Sequence, residues 1–397
     1  MILKNVRIFR ENGIFEPGEL YTVGMWIANT SRDGQVLDGQ GAYAIPGLTD
    51  LHFHGCMGYD FCDGTPEAFA AIATYELQNG ITQICPATMT LPEETLVSIG
   101  RAARSFAAEQ KAALANPQSI PVSPVGARLV GIHMEGPFLS MEKKGAQNPL
   151  YLREPDLAMF YRLQEAAGGL YRLVSLAPEL PGAMEFIHTL KDQVVLSLAH
   201  TMADYKTASA ALAVGASHAT HLFNAMMPFS HRAPGVVGAA FDAPDCQVEL
   251  ICDGVHIAPA MVRATFQMFG DDKVILISDS MMATGLTDGD YTLGGQDVRV
   301  TGSLATLADG TIAGSATNLM DCLRHAVKDM GIPLWTAVKC ATVNPAKSIG
   351  IYGQYGSLDV GKAANIVLLN EHLEITAVLF QGNPVKRQEI MKYRKHT

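Results

Sequence analysis

The chain has 397 residues, 48% of them hydrophobic and 17% charged, so it can bury a substantial core and is not globally disordered. Lys and Arg number 29 against 39 Asp and Glu, a net charge of −10, which argues against a nucleic-acid binder and against adsorption to anionic membranes. Seven Cys with no CxxC pair give no expectation of a disulfide scaffold or a thiolate zinc site.

In chain order, the opening MILKNVRIFRENG carries charge where a secretory signal would be apolar, and no long uncharged apolar run follows, so a cytoplasmic location is expected. Residues 1–45 read as short strands between turn signals. From residue 46 short apolar runs alternate with Ala-rich helical stretches such as 67–78 and Tyr205–Val214. The runs are IPGLTDLHFH, ITQICPAT, LVGIHMEG, YRLVSLAPE, VVLSLAH, HATHLFNA, VELICDGVH and VILISDS. Each is followed by enough chain for a return helix, so parallel βαβ units are expected, closing into a (β/α)8 TIM-type barrel over 46–352. Residues 286–312, with DG, GG and TG turns, read as a β-hairpin insertion between the eighth strand and its helix. Strand-like segments return after 353. Residues 1–45 and 353–397 are expected to pair into one small β-sandwich domain beside the barrel. The stretch GSLDVGKA (356–363) only approaches a phosphate-binding loop: it ends in Ala363 instead of Ser or Thr, and a strand follows where a helix is needed.

Chemistry gathers at one end of the runs. His52 and His54 close the first, Glu135 the third, His200 the fifth, His221 the sixth, His256 the seventh and Asp279 the eighth. The C-terminal ends of barrel strands converge on the face where barrel enzymes keep their active sites. Chance would end the runs in Lys, Ser, Asn or Thr as often. His52 and His54, two apart on a strand, face the same side and suit a divalent ion. Four imidazoles and two carboxylates suffice for one metal with an open position, or for two sharing a carboxylate. His133 shares a strand face with Glu135 and is read as a support to the ligands; His218 is ambiguous.

The stretches LTDLHFHG, GIHMEGPFLSMEKKGAQNP, LAPE, LAHTMADY, ATHLFNAMMPFSHRAPGVVGAA, ICDGVHIAP, ISDSMMATG, AGSA and NPAKSIG, in this order over about residues 46–350, resemble the amidohydrolase superfamily and, within it, the N-acetylglucosamine-6-phosphate deacetylase family. The resemblance implies a homodimeric hydrolase that removes the acetyl group of an amino-sugar 6-phosphate. It implies one or two divalent ions per subunit, zinc first, with iron, manganese and cobalt compatible with the same donors. It implies Glu135, His200 and His221 as metal ligands, His52 and His54 for a second metal, and Asp279 as catalytic acid/base. It implies substrate contacts from Asn224, Ala225, Arg232, His256, Gln147, Ala146, Ile312, Ala313 and Gly314. Gln147 departs from the family, which usually has His there; Gln hydrogen-bonds but carries no charge. N-acetylgalactosamine 6-phosphate therefore stands as an alternative substrate. A cyclic-amide hydrolase of the same superfamily is a more distant one, since many of those carry a carboxylated Lys at the end of strand four and YRLVSLAPE has no Lys. A non-catalytic relative would have dropped ligands that this chain retains.

Overall fold

A computed structural model describes residues 1–31, 34–115 and 126–386; the last part of the expected small domain, 387–397, lies outside them. Eight parallel strands form the centre. They are β1 (Leu48–Asp50), β2 (Ile81–Ile84, resuming at Ala87–Thr88), β3 (Arg128–Leu129, resuming at Ile132–Glu135), β4 (Tyr171–Leu176), β5 (Val195–Leu198), β6 (His218–Ala219), β7 (Gln247–Ile251) and β8 (Val274–Ile277), each paired with the next. The ring closes just beyond the strand ends. Ser278 Oγ donates to Asp50 Oδ2 at 2.6 Å, Asp279 N to His52 O at 2.9 Å, and His54 N to Ser280 O at 2.7 Å. The barrel expected from the alternation is present.

Helices return between the strands: α1 (Pro66–Gln78), α2 (Glu93–Ala115), α3 (Leu157–Ala166), α4 (Ala183–Leu190), α5 (Tyr205–Val214), α6 (Gly235–Asp242), α7 (Pro259–Phe269) and α8 (Leu319–Lys328). Their ends follow local chemistry. Thr65, Asp156, Asp204 and Asn318 each cap a first turn through the side-chain oxygen, satisfying an orphan N–H. Among the described residues no helix is long and apolar enough to cross a membrane.

Between β8 and α8 stand three antiparallel strands, Gly289–Leu293, Gln296–Thr301 and Leu304–Thr306. Leu293, Val298, Val300 and Ala305 pack there with Met89, Ala146, Met281 and Ala313, and Gln296 Nε2 donates to Ala146 O. This burial seats the insertion against one side of the barrel mouth.

A separate eight-stranded sheet combines Ile2–Arg10, Ile14–Val23, Trp26–Ala28, Val36–Asp38 and Tyr43–Pro46 with Ile366–Leu369, Ile375–Phe380 and Asn383–Pro384. Its two chain ends join where Ala44 faces Leu368 in an antiparallel pair. Its edge strand Trp26–Ala28 bonds to the segment leading into Ile366–Leu369: Ile27 N donates to Lys362 O, and Ala364 N to Met25 O. The enclosed core, including Leu3, Ile8, Leu20, Ile366 and Leu379, is distinct from the barrel's.

Candidate active site

Backbone at the strand ends turns the functional side chains into the barrel mouth. His200, His221 and Asp279 sit at φ of 44°, 30° and 49°, and Ala225 at 51°. Non-glycine residues pay about 1–3 kcal/mol each for left-handed backbone, and such positions cluster at functional sites. Gly314 (φ 63°) approaches the same place: an added Cβ would lie 3.1 Å from Asp279 O, so the close pass of this segment requires glycine.

Glu135 is the hub. Its Oε1 lies 3.1 Å from His200 Nε2, 3.1 Å from His221 Nε2 and 3.3 Å from His52 Nε2. Its Oε2 lies 3.3 Å from His54 Nε2, which is also 3.3 Å from Asp279 Oδ1. The donor atoms of Glu135, His200 and His221 all fall within 4.8 Å of one another, as do those of His52, His54 and Asp279. Two neutral imidazoles do not present lone pairs to each other without something positive between them, yet His200 Nε2 and His221 Nε2 are 3.1 Å apart. His200 Nδ1 donates to Lys143 O at 2.8 Å, and His52 Nδ1 donates to Glu249 Oε2 at 3.0 Å. In both rings the inward Nε2 therefore carries the lone pair in the neutral form. His52 Nε2 is buried without a hydrogen bond. An imidazole anchored through Nδ1 with Nε2 free is the arrangement of a metal ligand, and these residues fit one or two divalent cations.

The same cluster holds its charges firmly. Burial raises the Glu135 carboxyl, but His52, His200 and His221 more than reverse this and hold it well below the usual range. Burial is likewise outweighed at Asp279 by the hydrogen bond to His54 and the charge of His52, and at Glu249 by His52, which brings it to about 2. Burial would lower His54, but Asp279 and Glu135 carry it up to about 10. Such a nest of carboxylates and imidazoles has strong affinity for positive charge.

The cluster opens into a cavity of about 480 Å³, within the range of small-molecule sites. Ala146, Gln147, Asn224, Ala225, His256, Ile312 and Gly314 line it, together with Lys143 and Lys144. His52 lies beneath, fully buried, and Ala313 is buried behind the lining. Arg232 does not line it; it is exposed on the loop before α6. His256 Nδ1 donates to Asp253 Oδ2 at 2.7 Å, aiming the other nitrogen outward. Gln147 is fully engaged: its Oε1 accepts from Thr90 N at 2.7 Å, and its Nε2 donates to Glu135 Oε2 at 2.9 Å.

The Amidohydrolase family profile matches residues 43–386. The chain belongs to the amidohydrolase family. This amidohydrolase is 35% identical over 392 residues to the N-acetylglucosamine-6-phosphate deacetylase of Bacillus subtilis (strain 168), covering 96% of each chain. It is 32% identical over 357 residues to the N-acetylgalactosamine-6-phosphate deacetylase of Escherichia coli O157:H7, covering 90% of this chain and 89% of that one. Among solved structures it resembles a mutant N-acetyl-D-glucosamine-6-phosphate deacetylase of Mycobacterium smegmatis in complex with N-acetyl-D-glucosamine-6-phosphate. The TM-score is 0.84 at 34% identity, covering 97% of this chain and 98% of the other. Amidohydrolases are generally metal-dependent, and among the described residues three groups of side chains could hold a metal ion: Glu135, His200 and His221; His52, His54 and Asp279; and His52, His133 and Glu249.

Several residues of the site escaped the sequence reading. Glu249 anchors His52, Asp253 orients His256, and Glu179 accepts from the Thr201 hydroxyl and from Met202 N just beyond His200. Glu249 had a signal, since it is the one charge inside the apolar run VELI. His133 and His218 make no hydrogen bond to Glu135: His133, whose ring lies against that of His52, bonds Ser175 Oγ through Nε2 at 2.7 Å, and His218 Nδ1 bonds Ser197 Oγ at 3.2 Å.

Proposed function

We propose that this amidohydrolase removes the N-acetyl group of N-acetylglucosamine 6-phosphate by hydrolysis, giving glucosamine 6-phosphate and acetate. The observation that carries this reading is one carboxylate, Glu135, set among four imidazoles and facing Asp279 in a cavity, in a chain whose relatives bear the names of deacetylases of this kind. Glu135, His200 and His221 would hold one divalent ion and His52, His54 and Asp279 a second, with Glu135 between them. Such an ion supplies Lewis acidity, polarising the acetyl carbonyl and lowering the pKa of a water. Asp279, ionised and open to the cavity, accepts the proton of the attacking water. It then delivers that proton to the departing nitrogen, because an amine leaves poorly as an anion. His256, fixed by Asp253, accepts from a sugar hydroxyl through Nε2 when neutral and donates from it to the acetyl carbonyl when protonated, a form that, against burial, Asp253 favours. Lys143 and Lys144 on the wall and Arg232 on the rim loop are the cations for the phosphate, with backbone N–H groups near Asn224 and Ala225. Zinc as the ion, a homodimeric assembly and a cytoplasmic location belong to the same proposal and rest on the family resemblance.

A second substrate, N-acetylgalactosamine 6-phosphate, is favoured by one observation: the Gln147 amide oxygen is spent on Thr90 N and its nitrogen on Glu135 Oε2 and Met89 Sδ, so Gln147 has no free donor with which to hold the glucosamine epimer over the other. The test is acetate release from N-acetylglucosamine and N-acetylgalactosamine, each with and without the 6-phosphate. Fast release from the phosphorylated glucosamine derivative supports the main reading. Preference for the other epimer supports the second, and equal rates without phosphate refute both.

A further inference from the structure

Beneath the cluster the barrel interior is polar. A hydrogen-bonded chain crosses it from His218 Nδ1 to Ser197 Oγ, then Thr220 Oγ1, Ser175 Oγ and His133 Nε2, at 3.2, 2.6, 2.7 and 2.7 Å, and His133 Nδ1 ends it on Leu51 O at 3.3 Å. The carbonyl of Leu51 can only accept, which fixes the direction of every bond. His133 donates through Nδ1, so its Nε2 accepts from Ser175, Ser175 from Thr220, Thr220 from Ser197, and Ser197 from His218 Nδ1. The His218 proton is therefore spent, and Glu249 Oε1, 3.8 Å away, receives no hydrogen bond from it.

Glu249 is fully buried, and no Lys or Arg is paired with it among the described residues. Its Oε2 accepts from His52 Nδ1 at 3.0 Å and from the backbone N–H of His221 at 3.1 Å. His52, Glu249 and His133 also stand close enough for their donor atoms to hold a cation. Those atoms are already engaged, however: His52 with Glu249, and His133 with Ser175 and Leu51. The triad therefore reads as an orienting device. A carboxylate behind an imidazole fixes its tautomer and raises its basicity as a ligand. His200 obtains the same orientation from a backbone carbonyl, that of Lys143, and has no carboxylate behind it.

We propose that Glu249 is a positioning residue that controls filling of the His52–His54–Asp279 metal position, by holding His52 with Nε2 toward Glu135 and, through its negative charge, raising the basicity of that nitrogen above what a neutral acceptor would give. This rests on the metal site proposed above. The Glu135–His200–His221 position depends on Glu249 only through one backbone contact, so the two positions should respond differently.

The test is titration of metal-stripped full-length protein with Zn²⁺, followed by metal analysis, and with Co²⁺, followed by absorption. Wild type should take up two equivalents. Glu249→Gln should keep the first and bind the second about 10–100-fold more weakly, the usual cost of losing a partner behind a metal ligand. Glu249→Asp, which keeps the charge but draws it back by one methylene, should lose less. In a His52→Ala background, Glu249→Gln should change nothing further. Near-UV circular dichroism confirms that each variant is folded. Two equivalents bound at wild-type affinity in Glu249→Gln would overturn the proposal. So would loss of both equivalents together, which means general support of the barrel, or a wild type that binds only one. These readings need no substrate, so failure of the deacetylase assignment would appear separately, as absent acetate release by fully loaded wild type.

Discussion

Replacing Asp279 with Asn preserves the shape of the side chain at the cavity floor and removes its capacity to take a proton. In the wild type His54 and His52 hold this carboxyl low against its burial, so it is ionised throughout the neutral range and ready to accept. An amide has no comparable basicity. The expected loss is that of a positioned acid/base, about 10²–10⁴-fold in kcat, or about 2.7–5.4 kcal/mol of barrier at 1.36 kcal/mol per decade. The Glu135–His200–His221 donors do not include Asp279, so metal at that position should persist. The assay is steady-state acetate release from N-acetylglucosamine 6-phosphate with excess Zn²⁺, with metal content measured on the same samples. Turnover within a fewfold of wild type in metal-replete Asp279→Asn would refute the assignment and place the proton on another group. A rate loss that tracks complete loss of metal would show that Asp279 acts as a ligand first.

Three further outcomes are expected. His200→Ala and His221→Ala should each shed the tightly held ion and most activity, whereas His52→Ala should remove no more than the second equivalent; full metal retention in the first two, by metal analysis, would contradict the ligand set. Arg232→Ala, because Arg232 is exposed on the rim loop and outside the cavity lining, should lose no more than about fivefold in kcat/KM on the phosphorylated sugar, from the ~0.2–1 kcal/mol that an exposed ion pair is worth, and nothing on the unphosphorylated one; parallel kinetics decides, and equal losses would exclude a phosphate contact. Glu76 is buried beside Cys56 and Asp50, and burial first, then Asp50, pushes its carboxyl well above the usual range. A folded pKa raised above the unfolded one means the folded state binds the extra proton, so stability declines as pH rises from about 4.5 towards the folded pKa. Glu76→Gln, permanently neutral, should therefore melt at a higher temperature than wild type at pH 8, with the difference shrinking towards pH 4.5; a pH-independent difference would contradict this.

Much of this molecule was legible in one dimension because its information is local. Strand–helix alternation required parallel crossovers, and caps such as Asp204 and Gly215 set α5 at Tyr205–Val214, the stretch read from the sequence. The candidate site residues stood at the ends of the apolar runs, where strand geometry alone sends them to one face of a barrel. His52 and His54 needed only the two-residue period of a strand to share a side. What the sequence could not supply was partnership across the ring. Glu249 lies 197 residues from the His52 it anchors, and Gln147 bonds to Glu135 and to Thr90 N, 57 residues away. The choice of Glu135 as hub and the turning of His133 and His218 into a separate hydrogen-bonded chain likewise depend on barrel closure. Hydrophobic periodicity specifies which way a side chain faces, but a hydrogen bond a few ångströms long depends on the distance between strands, and only the closed barrel fixes that distance.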